Sequence, residues 1–382
     1  MFPKGVNSPV RYYPPYPRFI KKGKGSRIWD VDDKEYVDFL LAYGPLILGH
    51  SQKEVVDRIN EVARDGTLFG APTELEVKFG ELLTKSASLN TIRIVNTGTE
   101  ATMHAIRLAK HHTNRKKVLK IKGGYHGTHP FNFDSDYVES VEFNSPDSVK
   151  EKLSSKEFAC LIMEPVMGNT GVINPVEGYL EEVREITENT GTLLILDEVI
   201  TGFRTGFHPF YVREKVVPDL ATFAKIIGGG LTLAAYGGSE RIMRDVRPEG
   251  PFPQAGTFSG NPLSVAAGLK TLEILSKKDY SSLKKLTDIA VESLSGSGLT
   301  VNSQVGMLSL FFTDERVQSA SDALKTRKDL YFRLFERAIE KGIFLAPSFD
   351  ETIFISFAHE ESEVKESFQF LSEEAKRIWK AH

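Results

Sequence analysis

The residues best placed to do chemistry are an aspartate and a lysine that each close an apolar run. Thr192-Leu193-Leu194-Ile195-Leu196-Asp197-Glu198-Val199 predicts a buried strand ending in two acids. A carboxylate taken out of water is costly unless a cation or a donor meets it, so Asp197 demands a partner. One class of enzyme uses such an acid to hold magnesium beside a G-x-x-x-x-G-K-[ST] phosphate loop. That loop is missing, because the single Gly-Lys step, Gly23-Lys24, lacks both the upstream glycine and the following Ser/Thr. The other use is a carboxylate held against a protonated heterocyclic nitrogen. At about 4 Å and an effective dielectric near 20 such a pair is worth on the order of 4 kcal/mol, roughly three pK units, enough to keep a pyridine ring protonated at neutral pH.

Further on, Leu220-Ala221-Thr222-Phe223-Ala224-Lys225 ends a second apolar run in a lysine, followed by Gly228-Gly229-Gly230. Desolvation lowers a lysine pKa and frees the amine as a nucleophile able to form a Schiff base. The bland alternative is a lysine snorkelling from a strand end. An electron-sink cofactor bound to lysine, with an aspartate at its pyridinium nitrogen, describes pyridoxal phosphate or its aminated form. Its phosphate needs a cradle, which Asn96-Thr97-Gly98-Thr99-Glu100-Ala101 can supply. Thr97-x-x-Glu100 reads as a capping box, placing Gly98 and Thr99 at a helix N-terminus that favours a dianion, as any N-capped helix would. Tyr125 and His126, inside Gly123-Gly124-Tyr125-His126-Gly127, offer a flat aromatic for stacking, although an isolated Tyr-His pair is more often packing. No metal is expected: His111-His112 and His126-x-x-His129 are the densest histidines, with no H-E-x-x-H and no second thiolate beside Cys160. The His111-His112 pair reads as part of a solvated basic helix end.

The elements around these residues follow from periodicity. From about His50 to Asn261, short apolar runs (TIRIVN, KVLKI, FACLIMEPV, TLLILDEV, DLATFAK) alternate with amphipathic segments such as KEVVDRINEVARD and YLEEVREITENTG. This predicts an α/β domain with a mostly parallel sheet, helices on both faces and ligands at the carboxyl ends of the strands. The organisation expected is an arm with a small β-meander over 1–47 turning at Asp32-Asp33, a large domain over 48–267, and a smaller α+β domain over 268–382 completed by the arm. In the last part MLSLFF and TIFISFA read as strands, and a helix is expected near 322–342.

With 48 Lys+Arg scattered against 51 Asp+Glu, a formal charge of −3, no basic stripe points to nucleic acid. No apolar run is long enough to span a membrane, and Met1 to Phe19 has no signal core, so a cytoplasmic protein is expected. The lone Cys160, in FACLIM, reads as a core residue.

Taken together, SPVR at Ser8 to Arg11, GPLILGH at Gly44 to His50, FGAPTELE, NTGTEATMHAIRLA, YHG, EPVMGNTGV, LDEVITGFRTG, AKIIGGG and QAGTFSGNPL resemble the class III, fold-type I pyridoxal-phosphate aminotransferases. Within them the chain is most similar to the aminomutase branch, which converts glutamate-1-semialdehyde to 5-aminolevulinate for tetrapyrrole synthesis. The resemblance implies Lys225 as the Schiff-base lysine and Asp197 as partner of the ring nitrogen. It implies Gly98 and Thr99 on the phosphate, Tyr125 and Val199 on the two ring faces, and Glu164 in a loop near the cofactor. Thr257 matches a threonine that reaches the phosphate from a neighbouring subunit, implying a homodimer. Arg11, with Ser8 nearby, matches the residue that receives the substrate carboxylate, and Glu351 matches a glutamate near the substrate amino group. The alternative carried alongside is a class III aminotransferase or racemase acting on another amino acid. Two departures stand out: Tyr43 replaces a tryptophan, and Thr128 to Ser140 is short where the family has a long gating loop.

Overall fold

The structure is a computed structural model and describes residues 2–382. Near the N-terminus β1 (Ile20–Lys24), β2 (Arg27–Asp30) and β3 (Glu35–Asp38) form an antiparallel meander. Its second turn is at the expected place, with Asp33 at φ 67° and the Asp30 carboxylate accepting the Asp32 and Lys34 amides at 3.0 and 2.9 Å.

The large sheet is built from β4 (Thr91–Val95), β5 (Lys117–Ile121), β6 (Val138–Val141), β7 (Phe158–Met163), β8 (Leu193–Asp197), β9 (Leu220–Phe223) and β10 (Ala234–Gly238). Their order is β4-β10-β9-β8-β7-β5-β6, with β10 antiparallel to both neighbours and the pairs from β9 to β6 parallel. Every residue of β7, β8 and β9 is buried, as expected for strands with helices on both faces. Five of these strands are the five apolar runs of the sequence. β10 escapes that reading because it holds two glycines, and the sheet explains them. A Cβ at Gly237 would lie 2.4 Å from the Thr91 carbonyl oxygen and one at Gly238 2.2 Å from that of Asp219. The helix Gly98–Thr113 packs on this sheet through Ala101, Ala105 and Leu108. Its end is less solvated than expected: His112 is half-buried, 2.7 Å from an Asp245 carboxylate oxygen and 2.8 Å from Arg241.

The smaller lobe contains β11 (Thr300–Gln304), β12 (Met307–Phe311), β13 (Ile343–Phe344) and β14 (Ile353–Phe354). β11, β12 and β14 form one sheet, while β13 pairs parallel with β3, so the N-terminal meander completes this lobe. The unbroken helix Pro262–Leu275 runs through position 267 and lies against the helices Lys53–Ala63 and Glu74–Ala87. Two corrections arise here. The helix expected near 322–342 is broken into Ala320–Ala323 and Lys328–Lys341, because Thr326 Oγ1 accepts the Phe312 amide at 2.8 Å and Arg327 donates its amide to the Phe312 carbonyl. The strand read from TIFISFA is confined to Ile353–Phe354.

Candidate active site

The carboxyl ends of β4, β5, β7, β8 and β9 open on one cavity of about 270 Å³. Asp197 ends β8 and is buried at 2% exposure. Its Oδ1 accepts from Thr222 Oγ1 at 2.9 Å and from the Val199 amide at 3.1 Å, and its Oδ2 accepts from His126 Nδ1 at 2.7 Å. Three donors offset the cost of removing the carboxylate from water, each hydrogen bond to a charged group being worth about 1.5–3 kcal/mol. Glu198, the second acid, turns the other way: it accepts from Thr201 and the Tyr211 amide and is held up to about 7 by burial.

His126 is therefore more than packing. Its ring is buried against Asp197, and its amide donates to Asn132 Oδ1 at 2.9 Å, whose backbone carbonyl in turn accepts from the buried Lys120 Nζ at 2.7 Å. The short segment after Gly127 is thus pinned to the sheet. Thr222, Asn132 and Lys120 were not foreseen. Thr222 had a signal, a lone hydroxyl in the apolar run LATFA, and the register pairs it directly with Asp197.

Lys225 follows β9 in a left-handed conformation, φ 49°, that a non-glycine residue holds only under constraint. Burial lowers its ammonium from the usual 10.5 to about 8 against the opposing pull of Glu164 and Glu351, and the Arg204 guanidinium acts in the same direction as burial. Glu164, after β7, is buried, and burial with Asp197 close by pushes its carboxyl up to about 8. Glu351, half-buried, is raised by burial to about 7.

Across the cavity, Thr97 caps the helix Gly98–Thr113 by accepting the Glu100 amide at 3.2 Å. Only half of the expected capping box forms. The Glu100 carboxylate reaches one residue further back, accepting the Asn96 amide at 2.7 Å, and Thr97, Gly98 and Thr99 at the start of the helix line the cavity, where a first turn offers free N–H groups. A Cβ at Gly98 would press on Val199 at 3.3 Å, and one at Gly127, φ 98°, would fall 2.7 Å from Thr99 Cα. These two glycines let the Tyr125-His126 loop and the helix close on one another. Tyr125 is 47% exposed and lines the cavity together with Val199.

Of the residues expected to meet substrate, Tyr43 donates to the carbonyl of Val10, the middle residue of the short turn Pro9–Arg11 that Ser8 precedes. Burial and the Glu351 charge raise the Tyr43 phenol, and the exposed Arg11 opposes them. Ser8, Arg11, Tyr43 and Glu351 do not line the cavity itself. Leu41, Ala42 and Tyr43 all have positive φ, and the turn ends at Gly44, whose carbonyl accepts from Arg204. Arg204, with no exposure, stacks 4.5 Å over Phe354, donates only to backbone carbonyls and keeps Nη1 without a partner. Thr257 is exposed and outside the cavity of its own chain.

A buried strand-end aspartate able to meet a protonated ring nitrogen, a lysine whose pKa burial lowers, and a helix N-terminus for a phosphate fit pyridoxal phosphate. Glu164 Oε1 and His126 Nε2, both buried and unpartnered, mark the cavity as built for a polar guest. The class III aminotransferase model matches residues 9–136 and 132–372, and the chain belongs to that family of pyridoxal-phosphate-dependent enzymes. The two matched pieces meet in the short segment after Gly127. Among its relatives is a glutamate-1-semialdehyde 2,1-aminomutase of Thermoplasma volcanium, 45% identical over 95% of this chain and 94% of that one. Of the solved structures, an omega-transaminase from Sphaerobacter thermophilus superposes with a TM-score of 0.93 at 27% identity, covering 98% of this chain and 95% of that one. A glutamate-1-semialdehyde-aminomutase from Pseudomonas aeruginosa shares the fold, with a TM-score of 0.89 at 24% identity over 97% and 90% of the two chains.

Proposed function

We propose that the protein is a pyridoxal-phosphate-dependent aminomutase that converts glutamate-1-semialdehyde to 5-aminolevulinate. The observation that carries this reading is the cavity that Lys225 and Asp197 line together with Gly98, Thr99 and Tyr125, in a chain 45% identical to a relative of that name. When bound, the cofactor supplies an electron sink through which an amino group can leave one carbon and be returned to its neighbour. Lys225 would form the covalent attachment and move protons between the cofactor and the substrate carbons, its lowered pKa leaving part of it as free amine at neutral pH. Asp197, fixed by His126 and Thr222, holds the ring nitrogen protonated. Gly98 and Thr99 receive the phosphate, Tyr125 and Val199 enclose the ring, and Arg11 with Ser8 takes the substrate carboxylate as a planar two-pronged donor. Thr257 reaches the phosphate of a second copy, making the working unit a homodimer, and the setting is the cytoplasm. The second reading, an intermolecular aminotransferase, is favoured by one observation, the short pinned segment after Gly127 where a cover over the reaction is expected.

The test is incubation with glutamate-1-semialdehyde alone. A mutase needs no added donor or acceptor, so 5-aminolevulinate should form. If the short segment leaks the diamine, formation should decay on dilution and recover with added 4,5-diaminovalerate. No product, together with efficient transfer from another amine to a keto acid, overturns the mutase in favour of the aminotransferase.

A further inference from the structure

The chain at Tyr43 is bent in a way that side chains resist. Leu41, Ala42 and Tyr43 stand one after another in the left-handed region, with φ 46°, 56° and 66°, and Gly44 follows at φ 112°. A Cβ makes each of the first three unfavourable, so such a run persists only where its surroundings hold it. Here they hold it from both ends. The Asp38 carboxylate accepts the Leu40 and Leu41 amides through Oδ1 at 2.8 and 2.9 Å, and its Oδ2 lies 2.6 Å from His50 Nε2. At the far end the Gly44 carbonyl accepts from the buried Arg204, whose Nε donates to the Ile200 carbonyl at 3.1 Å. Pro45, next in the chain, lines the Lys225 cavity. What this rigid turn delivers is a hydroxyl: Tyr43 donates to the Val10 carbonyl, and among the described residues that is the only hydrogen bond between residues 2–12 and the rest of the chain. The other bonds of the Ser8–Tyr12 stretch stay within it, Arg11 donating to the Ser8 carbonyl and Tyr12 to that of Pro9, each at 3.1 Å.

We propose that Tyr43 is a positioning residue that acts through Arg11: its hydroxyl pins the Val10 carbonyl, and with it the turn Pro9–Arg11, to the strained segment that leads into the cavity wall. The strained turn is a stiff support because two buried charged groups fix it, and the arm it carries is exposed from Pro9 to Tyr12. Joining the two removes freedom from the arm before a substrate carboxylate arrives, an ordering that would otherwise oppose binding. The next anchor along the arm is Tyr13, buried against Phe335 with ring centroids 5.1 Å apart, so the turn is held on both sides of Arg11. A phenylalanine at position 43 would fill the same space and carry no pin.

The inference rests on Arg11 as the receiver of the substrate carboxylate, so its first test uses no substrate. Trypsin cuts after Arg11, inside the pinned turn, and after Lys4, ahead of it, and both residues are exposed. In the Tyr43→Phe holoenzyme, whose visible band shows that it is folded, loss of one neutral hydrogen bond should quicken cleavage after Arg11 by about three- to tenfold and leave cleavage after Lys4 unchanged. An unchanged rate after Arg11 overturns the proposal, and so does an equal rise at both bonds. Steady-state kinetics with glutamate-1-semialdehyde then test the route. KM should rise by a similar factor with kcat kept, and Tyr43→Phe added to Arg11→Ala should raise KM no further than Arg11→Ala alone. Additive effects of the two changes overturn a route through Arg11. Quickened cleavage beside an Arg11→Ala variant whose KM is unmoved supports the pin and places the failure in the carboxylate assignment.

Discussion

Asp197 illustrates how much of a residue's chemistry is set by groups that never touch a ligand. Its orientation at the carboxyl end of its strand depends on His126, Thr222 and the Val199 amide. Of these His126 is the one whose loss removes a charge-assisted contact without changing the strand. Replacing His126 by Asn should leave cofactor bound through its other contacts while ring protonation weakens. A lost hydrogen bond of about 1.5–3 kcal/mol translates into a kcat lowered roughly 10- to 100-fold, with KM little changed. Steady-state kinetics beside a cofactor titration check this, and an unaltered kcat would reduce His126 to packing. Lys225→Ala provides the complementary case: it should retain some cofactor and lose both the borohydride-fixable label and turnover. A label found on another lysine would move the site.

At the scale of elements, the segment Thr128–Phe133 matters most. Asn132 fastens it twice, to the His126 amide and to the buried Lys120. Such a segment serves as a fixed brace for the Tyr125-His126 loop. Asn132→Ala should cost about 1–3 kcal/mol, because the backbone amide of His126 loses its buried acceptor. It should also raise the rate of proteolytic nicking in the segment, and a denaturation midpoint equal to wild type would show that the brace carries no load. Neither part of this brace was legible beforehand. The apolar runs of β7, β8 and β9 announce themselves and are buried throughout, and Asp197 and Lys225 stand out as charges at the ends of two of them. Asn132 lies in an irregular loop with no period to read, and Lys120 looks like an ordinary alternating strand position until the fold covers it. The capping box at Thr97 was read correctly in its first half only, since a sequence does not say that Glu100 will prefer the Asn96 amide.

For the whole molecule, Thr257 is the telling residue, because it is exposed on its own chain beside Phe258, which is 62% exposed, while Phe69 is 55% exposed. If a second copy covers this region and Thr257 reaches its neighbour's phosphate, cofactor binding and assembly are linked by mass action. Sedimentation of the apo form on dilution should then show dissociation at higher protein concentration than the holo form, by up to about 10,000-fold, a factor of about 100 from each of the dimer's two sites, when free cofactor stands 100-fold above its Kd. Thr257→Ala should shrink that gap. A monomer that binds cofactor with undiminished affinity would contradict the shared site.

The buried Arg204 ties three distant stretches of chain into one unit of inheritance. A Cβ on Gly44 would come within 3.1 Å of its guanidinium and 3.0 Å of the Phe354 ring, and that ring is the face on which the guanidinium rests. A change at any of these three positions leaves the other two without a neighbour of the right shape or charge. Along a lineage, positions 44, 204 and 354 should be conserved together or be replaced together, although 310 residues separate the first from the last (354 − 44).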